Sequence, residues 1–297
     1  MPSKKVEGCI YQFRNCHILS NHKLIREDLW VRNGKILNPE KLFFDEKAYA
    51  DKQIDCQDNI IAPGYIDVQI NAKGLLEFGV TSFCPTVITS PPEMYQKIVQ
   101  YAKKTEGSLK GAGVLGLHLE GPFINTAKKG AHNAELIRDF KNGFQDVVAM
   151  YGDKLEGVAM VTLAPELERS SEVIQEFCRR GIKFHHRDPH LIGILTSNQL
   201  PTDRTLFYGL IADGIHTHPS ALRIAHRVHP SECGIELALE CASLHPAQAL
   251  GITDRKGTLD YGTDADFIIL DPNLNVLATY IAGEKVWEGK TMKGQLQ

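Results

Sequence analysis

The chain has 297 residues, 43% of them hydrophobic and 23% charged, with a formal net charge of −3 at pH 7. Such a length suits one large domain plus a small one, and the charge offers no basic field for nucleic acid or an anionic membrane. No apolar run approaches a membrane span, and seven cysteines without a C-x-x-C pair fit reduced thiols, so a cytoplasmic protein is expected.

In chain order, the first 60 residues read as β-rich. Short strands are expected at 10–13, 29–31 and 36–37, with Asn33-Gly34 as the turn between the last two. The middle alternates strand and helix. Strands are expected at 60–70, 81–88, 114–119, 158–163, 181–184 and 205–212, and helices at 92–104, 134–151, 170–180, 219–229 and 234–250. The tail returns to β, with strands at 276–280 and 285–287 around the turn Ala282-Gly283-Glu284. Two β-rich ends around an alternating middle predict a small β-sandwich built from 1–60 and 255–297, wrapping a (β/α) domain over 61–254. Six strands fall short of the eight of a closed (β/α)8 TIM barrel, so an open doubly wound sheet competes with an incomplete barrel.

The stretch that organises the middle is Gly113-Val-Leu-Gly-Leu-His-Leu-Glu120-Gly-Pro-Phe123. It reads as a buried strand that stops at a carboxylate followed by a rigid turn. In α/β folds that edge of the sheet is where chemistry is placed. A solvated strand-end acid is the alternative for Glu120. No G-x-G-x-x-G follows the first strand, and neither G-x-x-x-x-G-K-[ST] nor G-x-S-x-G occurs, so nucleotide binding and a serine-hydrolase elbow have no support.

The phrase LHLEGPF at 117–123, followed by KKGAH at 128–132, resembles N-acetylglucosamine-6-phosphate deacetylases of the amidohydrolase superfamily. The likeness continues in 62–71, whose end Gln69-Ile-Asn71 pattern replaces the superfamily's HxH, and in 78–86. It resumes in His185-His-Arg-Asp-Pro189, Asp213-Gly-Ile-His216, 236–248 and Gly257-x-x-x-x-Gly-x-Asp-Ala-Asp-Phe267. The resemblance implies an incomplete TIM barrel, hydrolysis of the acetamide of N-acetylglucosamine 6-phosphate, and one divalent metal ion, zinc or similar. It assigns Glu120 as a metal ligand, and Ala131, His132, Arg187, Asp213 and His216 to the sugar phosphate, with Arg187 reaching across a homodimer. Gln69 and Asn71 would sit near the site in hydrogen-bonding roles.

Three family stretches have no counterpart: after Asn71, between Phe184 and His185, and near His229-Pro230-Ser231. In the family these include two metal-ligating histidines and the catalytic aspartate. Adjacent His185 and His186 would point to opposite faces of an extended segment, whereas His216 and His218 would share one, so substitution of the absent ligands by either group is a weaker reading than a loop or phosphate contact. The competing expectation is a chain that binds sugar phosphate without turning it over.

Overall fold

The computed structural model describes residues 8–70, 74–185 and 234–289. Its first layer joins the two ends of the chain. Strands β1 (Tyr11–Ser20), β2 (Lys23–Arg26), β3 (Leu29–Arg32), β4 (Lys35–Ile36) and β5 (Lys52–Pro63) share one sheet with the C-terminal β12 (Phe267–Leu270), β13 (Val276–Ile281) and β14 (Glu284–Glu288), in the order β14-β13-β12-β5-β1-β3-β4 with β2 against β1. Pairing of β12 with β5, Ile269 opposite Ile61, stitches the ends together.

Alternation along the paired stretches of β5 and β12 explains why 60–63 and Phe267–Leu270 are apolar throughout. Ile61, Phe267 and Ile269 point into a core with Phe13, Val31, Ile36 and Tyr280. Phe267 stacks on Tyr280 at 4.6 Å between ring centres, and Phe13 meets both rings edge-on. Ile60, Ala62, Ile268 and Leu270 point the other way, onto Ala238, Leu239 and Ala242 of a C-terminal helix and onto Tyr65 and Val80. One strand face serves each layer, as a period of two requires.

The second sheet is parallel. Its strands are β6 (Tyr65–Ile70), β7 (Val80–Ile88), β8 (Gly113–Val114), β9 (Leu117–Glu120), β10 (Val158–Thr162) and β11 (Lys183–His185). They lie in the order β11-β10-β9-β7-β6 with β8 beside β7, so neighbours in space are neighbours in sequence. A doubly wound sheet reverses its strand order at a switch point, and the described strands have none. Helices α1 (Pro92–Tyr101), α2 (Phe144–Tyr151) and α3 (Ser170–Arg179) cover one face, where Leu117, Leu119, Val161, Val173 and Phe177 are buried with them. On the other face α5 (Leu244–Leu250), which follows α4 (Ile235–Ala242), packs near Ile66, Val68, Cys84 and Met160. Among the described residues no helix is long and apolar enough to cross a membrane.

Several boundaries differ from the sequence reading, each for a local reason. The strand expected over 60–70 is two strands, because the chain leaves one sheet for the other at Gly64, where an added Cβ would lie 2.2 Å from the Thr81 hydroxyl. The 114–119 strand breaks at Gly116, pressed against Ala159 with φ +130°. The helix expected over 134–151 is regular only from Phe144, since Gly143 is left-handed and Asn142 turns its amide to the Asp146 carboxylate at 2.6 Å. Ser243, at φ −130° and ψ −70°, divides 234–250 into α4 and α5. The strand expected at 205–212 and the helix at 219–229 lie outside the described residues.

The Gly-x-Asp-Ala-Asp phrase is a charged rivet between the layers. Lys256 is buried with its ammonium 2.5 Å from Asp266 and 3.2 Å from Asp264. Asp264 also takes Lys35 at 2.6 Å and Arg255 at 2.8 Å, and Arg255 reaches Glu106 in the second layer at 2.9 Å. Burial alone pulls the Lys256 pKa down, but attraction to Asp266 and then Asp264 reverses this and leaves it raised. Replacing Lys256 with Met strands a buried carboxylate, and we expect a loss of roughly 3–5 kcal/mol in urea unfolding at neutral pH. Because the folded pKa is raised, the wild-type advantage is complete below the ordinary lysine value and narrows as pH climbs through the folded one.

Candidate active site

β9 is buried along its whole length, and its side chains divide by parity. Leu117 and Leu119 face the helices, while His118 and Glu120 share the opposite face. His118, fully buried, is the layer beneath Glu120. Its Nδ1–H donates to the Val68 carbonyl of β6 at 2.8 Å, and Nε2 accepts from the Thr162 hydroxyl of β10 at 2.7 Å. One imidazole thus ties three strands together below the carboxylate.

Glu120 itself is 3% exposed. Its Oε2 accepts a hydrogen bond from Gln69 Nε2 at 2.8 Å, and its Oε1 lies 3.6 Å from His132 Nε2. The next residue, Gly121, is left-handed at φ +80° and enters a cis bond to Pro122. The Gly121 carbonyl accepts two phenols, Tyr95 of α1 at 2.6 Å and Tyr151 of α2 at 2.7 Å. Burial raises the pKa of both hydroxyls, with the Glu120 charge adding at Tyr95, so both remain donors. Phe123 then stacks on Phe140 at 4.4 Å and carries the turn into the helix layer.

From there the loop returns to the site. Asn125 accepts the Ala127 amide at 2.9 Å and donates to Glu166 at 2.7 Å. His132, 6% exposed, comes back beside Glu120 and meets Thr89, at the end of β7, through Nδ1. A cavity of about 30 Å³ lies among Glu120, Asn125, Lys128, His132, Thr162 and Glu166. That volume admits on the order of one water, not a sugar.

Of the residues expected from sequence, Glu120 and His132 meet, and Gln69 bonds to the carboxylate as its strand-end role anticipated. Ala131 is exposed at the rim beside His132. Arg187, Asp213 and His216 lie outside the described residues, as do Asn71, His186, His190 and His218. Tyr95, Tyr151, Thr89 and Thr162 were not anticipated. His118 carried a signal, since it stands two residues before Glu120 in a strand.

A buried carboxylate beside an imidazole suits a borderline divalent cation, but a catalytic zinc needs three protein ligands and an open position. Among the described residues no three His, Cys, Asp or Glu side chains are grouped closely enough to hold an ion. Glu120 and its described neighbours therefore do not make up a whole metal site.

A parallel sheet wound in one direction, with its acid at a strand's C-terminal edge, defines an α/β protein. The model of the amidohydrolase family matches residues 204–286. The solved N-acetylglucosamine-6-phosphate deacetylase of Pasteurella multocida superposes with a TM-score of 0.66 at 20% identity, covering 94% of this chain and 100% of that one. A Mycobacterium smegmatis mutant enzyme in complex with N-acetyl-D-glucosamine-6-phosphate gives 0.61 at 20% identity, covering 94% and 99%. These establish the fold.

Curated relatives are much nearer. N-acetylglucosamine-6-phosphate deacetylase of Danio rerio is 44% identical over 403 residues, covering 97% of this chain and all of the relative. That of Homo sapiens is 43% identical over 393 residues, covering 94% and 96%. The chain belongs to the N-acetylglucosamine-6-phosphate deacetylase family. Both alignments are longer than the 297 residues present here, so each relative carries positions with nothing opposite them in this chain.

Gly121 is the residue whose replacement tests this geometry. A Cβ there would lie 2.2 Å from the Thr89 hydroxyl, and the backbone is already left-handed. We expect Gly121→Ala to destabilise the chain by about 1–3 kcal/mol in chemical denaturation.

Proposed function

We propose that this chain hydrolyses the acetamide of N-acetylglucosamine 6-phosphate, releasing acetate and glucosamine 6-phosphate. The observation that carries the reading is the Glu120 carboxylate, buried at a strand end between Gln69 and His132. Relatives at 43–44% identity carry that activity in their names.

Amide hydrolysis needs an oriented water, a polarised carbonyl and a proton for the departing amine. A divalent ion, zinc or similar, supplies Lewis acidity when bound, and Glu120 is the residue that would hold it here. Gln69 fixes one oxygen of that carboxylate by donating to it, leaving the other directed toward His132 and the pocket. His132 adds an imidazole on the same wall, placed to touch the substrate. Arg187, Asp213 and His216 are proposed for the sugar phosphate, Arg187 because a guanidinium fork grips two phosphate oxygens. In this reading the parallel strands are part of a (β/α)8-type TIM barrel over 61–254. The sheet built from 1–60 and 255–297 is its β-sandwich companion, and a homodimer places Arg187 in the partner's site.

The internal length difference supports a second reading, binding without turnover. Two histidine-bearing stretches and the aspartate stretch that the family pattern places after Phe184 and near His229 have no counterpart in the sequence.

Acetate release from N-acetylglucosamine 6-phosphate by the purified full chain separates the two. Hydrolysis predicts turnover that falls by about 100-fold or more in Glu120→Gln, the scale expected of a group at the reacting centre. Binding of the sugar phosphate by calorimetry, with acetate release equal in wild type and Glu120→Gln, would establish the second reading instead.

A further inference from the structure

Thr89 lies one residue beyond β7, 7% exposed, and its amide and its hydroxyl both lie against the same atom of another strand's loop, the hydroxyl reaching the Tyr95 phenol as well. Its main-chain amide points at Nδ1 of His132 over 3.4 Å, and its hydroxyl lies 2.7 Å from the same nitrogen. An amide N–H can only donate, so Nδ1 must present its lone pair. In a neutral imidazole the proton then resides on Nε2, the nitrogen 3.6 Å from Glu120 Oε1. The opposite tautomer would set an Nδ1–H against the amide N–H.

We infer that Thr89 is a positioning residue for His132: it fixes the imidazole as the Nε2–H tautomer, so that His132 offers a donor, not an acceptor, to the Glu120 carboxylate and the pocket. The fixation is firm because Thr89 is itself fixed. Its hydroxyl fills the place a side chain at 121 would take, 2.2 Å from an added Cβ, so glycine at 121 and threonine at 89 are matched choices. Beside Thr89, the Ile88 carbonyl accepts the Ser90 hydroxyl at 2.8 Å. For metal-ligating histidines, losing the group that orients the ring through its other nitrogen costs about 10–100-fold, and the same lever acts on His132 here.

Two measurements test this, and only the second rests on the deacetylase reading above. In ¹⁵N-histidine-labelled full chain, long-range proton–nitrogen spectra report the tautomer of His132, its signals assigned by their loss in His132→Gln. The expected spectrum has an unprotonated Nδ1 and a protonated Nε2; a proton on Nδ1 overturns the inference. In the activity arm, Thr89→Val keeps the shape and removes the hydroxyl, whereas Thr89→Ser keeps the hydroxyl and removes a methyl group. The expected result is a loss of acetate release of roughly 10-fold or more in Thr89→Val, recovery of most of it in Thr89→Ser, and no further loss when Thr89→Val is added to His132→Gln. Retention in Val with loss in Ser would mean that Thr89 only packs against Gly121, and would overturn the role. If Thr89→Val lacks a cooperative melt, the Ser variant and the wild-type spectrum still decide. If the wild type releases no acetate, the proposed function fails while the spectrum still judges the tautomer.

Discussion

A single carbonyl oxygen holds the site in place. Gly121 follows the buried acid directly, and its oxygen accepts a phenol from each of two helices. A carbonyl has two lone pairs, and here both are used in a region closed to water. Tyr95 and Tyr151 also meet edge-on at 4.9 Å, and Tyr151 packs against Phe123. The end of β9 is thereby bound to the helix layer at the point where its acidic side chain turns to the opposite face. Glu120 cannot shift without breaking contacts that no solvent is present to replace.

Around that point the two faces of the parallel sheet carry different work. The helix-facing side is a continuous apolar layer of Leu117, Leu119, Val161 and their neighbours. The opposite side bears the polar ladder His118, Thr162, Gln69 and Glu120, each member bonded to the next strand. Stability and chemistry are separated by the period-two alternation of β9 and β10. The terminal sheet stands apart from both, joined through β5, α4 and the Lys256–Asp264–Asp266 cluster.

Much of this was legible in the sequence, and the parts that were not share a cause. Glu120 and His132 stand in the phrases LHLEGPF and KKGAH, and the resemblance of those phrases to the deacetylase family paired them. The terminal sheet was legible because the strands expected at 10–13, 29–31, 276–280 and 285–287 are short runs beside turn residues, whereas the first part of β5 is too polar to read as one. Tyr95 and Tyr151 lie 26 and 30 positions from the carbonyl they bind, inside helices where an aromatic reads as ordinary core. Thr89 gave no signal because its contact is with a residue 43 positions away. The break at Gly64 was missed because apolar residues lie on both sides of it, Ile60 to Pro63 before and Tyr65 and Ile66 after; only the three-dimensional crossing to Thr81 shows why a side chain is excluded there. Helix starts failed where a left-handed glycine, Gly143, overrode good helical composition upstream.

The account turns on whether the Gly121 carbonyl is the anchor of the site. A double-mutant cycle on Tyr95→Phe and Tyr151→Phe, read by chemical denaturation, asks this directly. Each single variant leaves the oxygen one donor and should cost about 1 kcal/mol, while the double variant strands a buried acceptor and should lose about 1–3 kcal/mol more than the singles combined. Small, additive losses would mean that the two phenols are incidental to the carbonyl, and that Glu120 is held by something else.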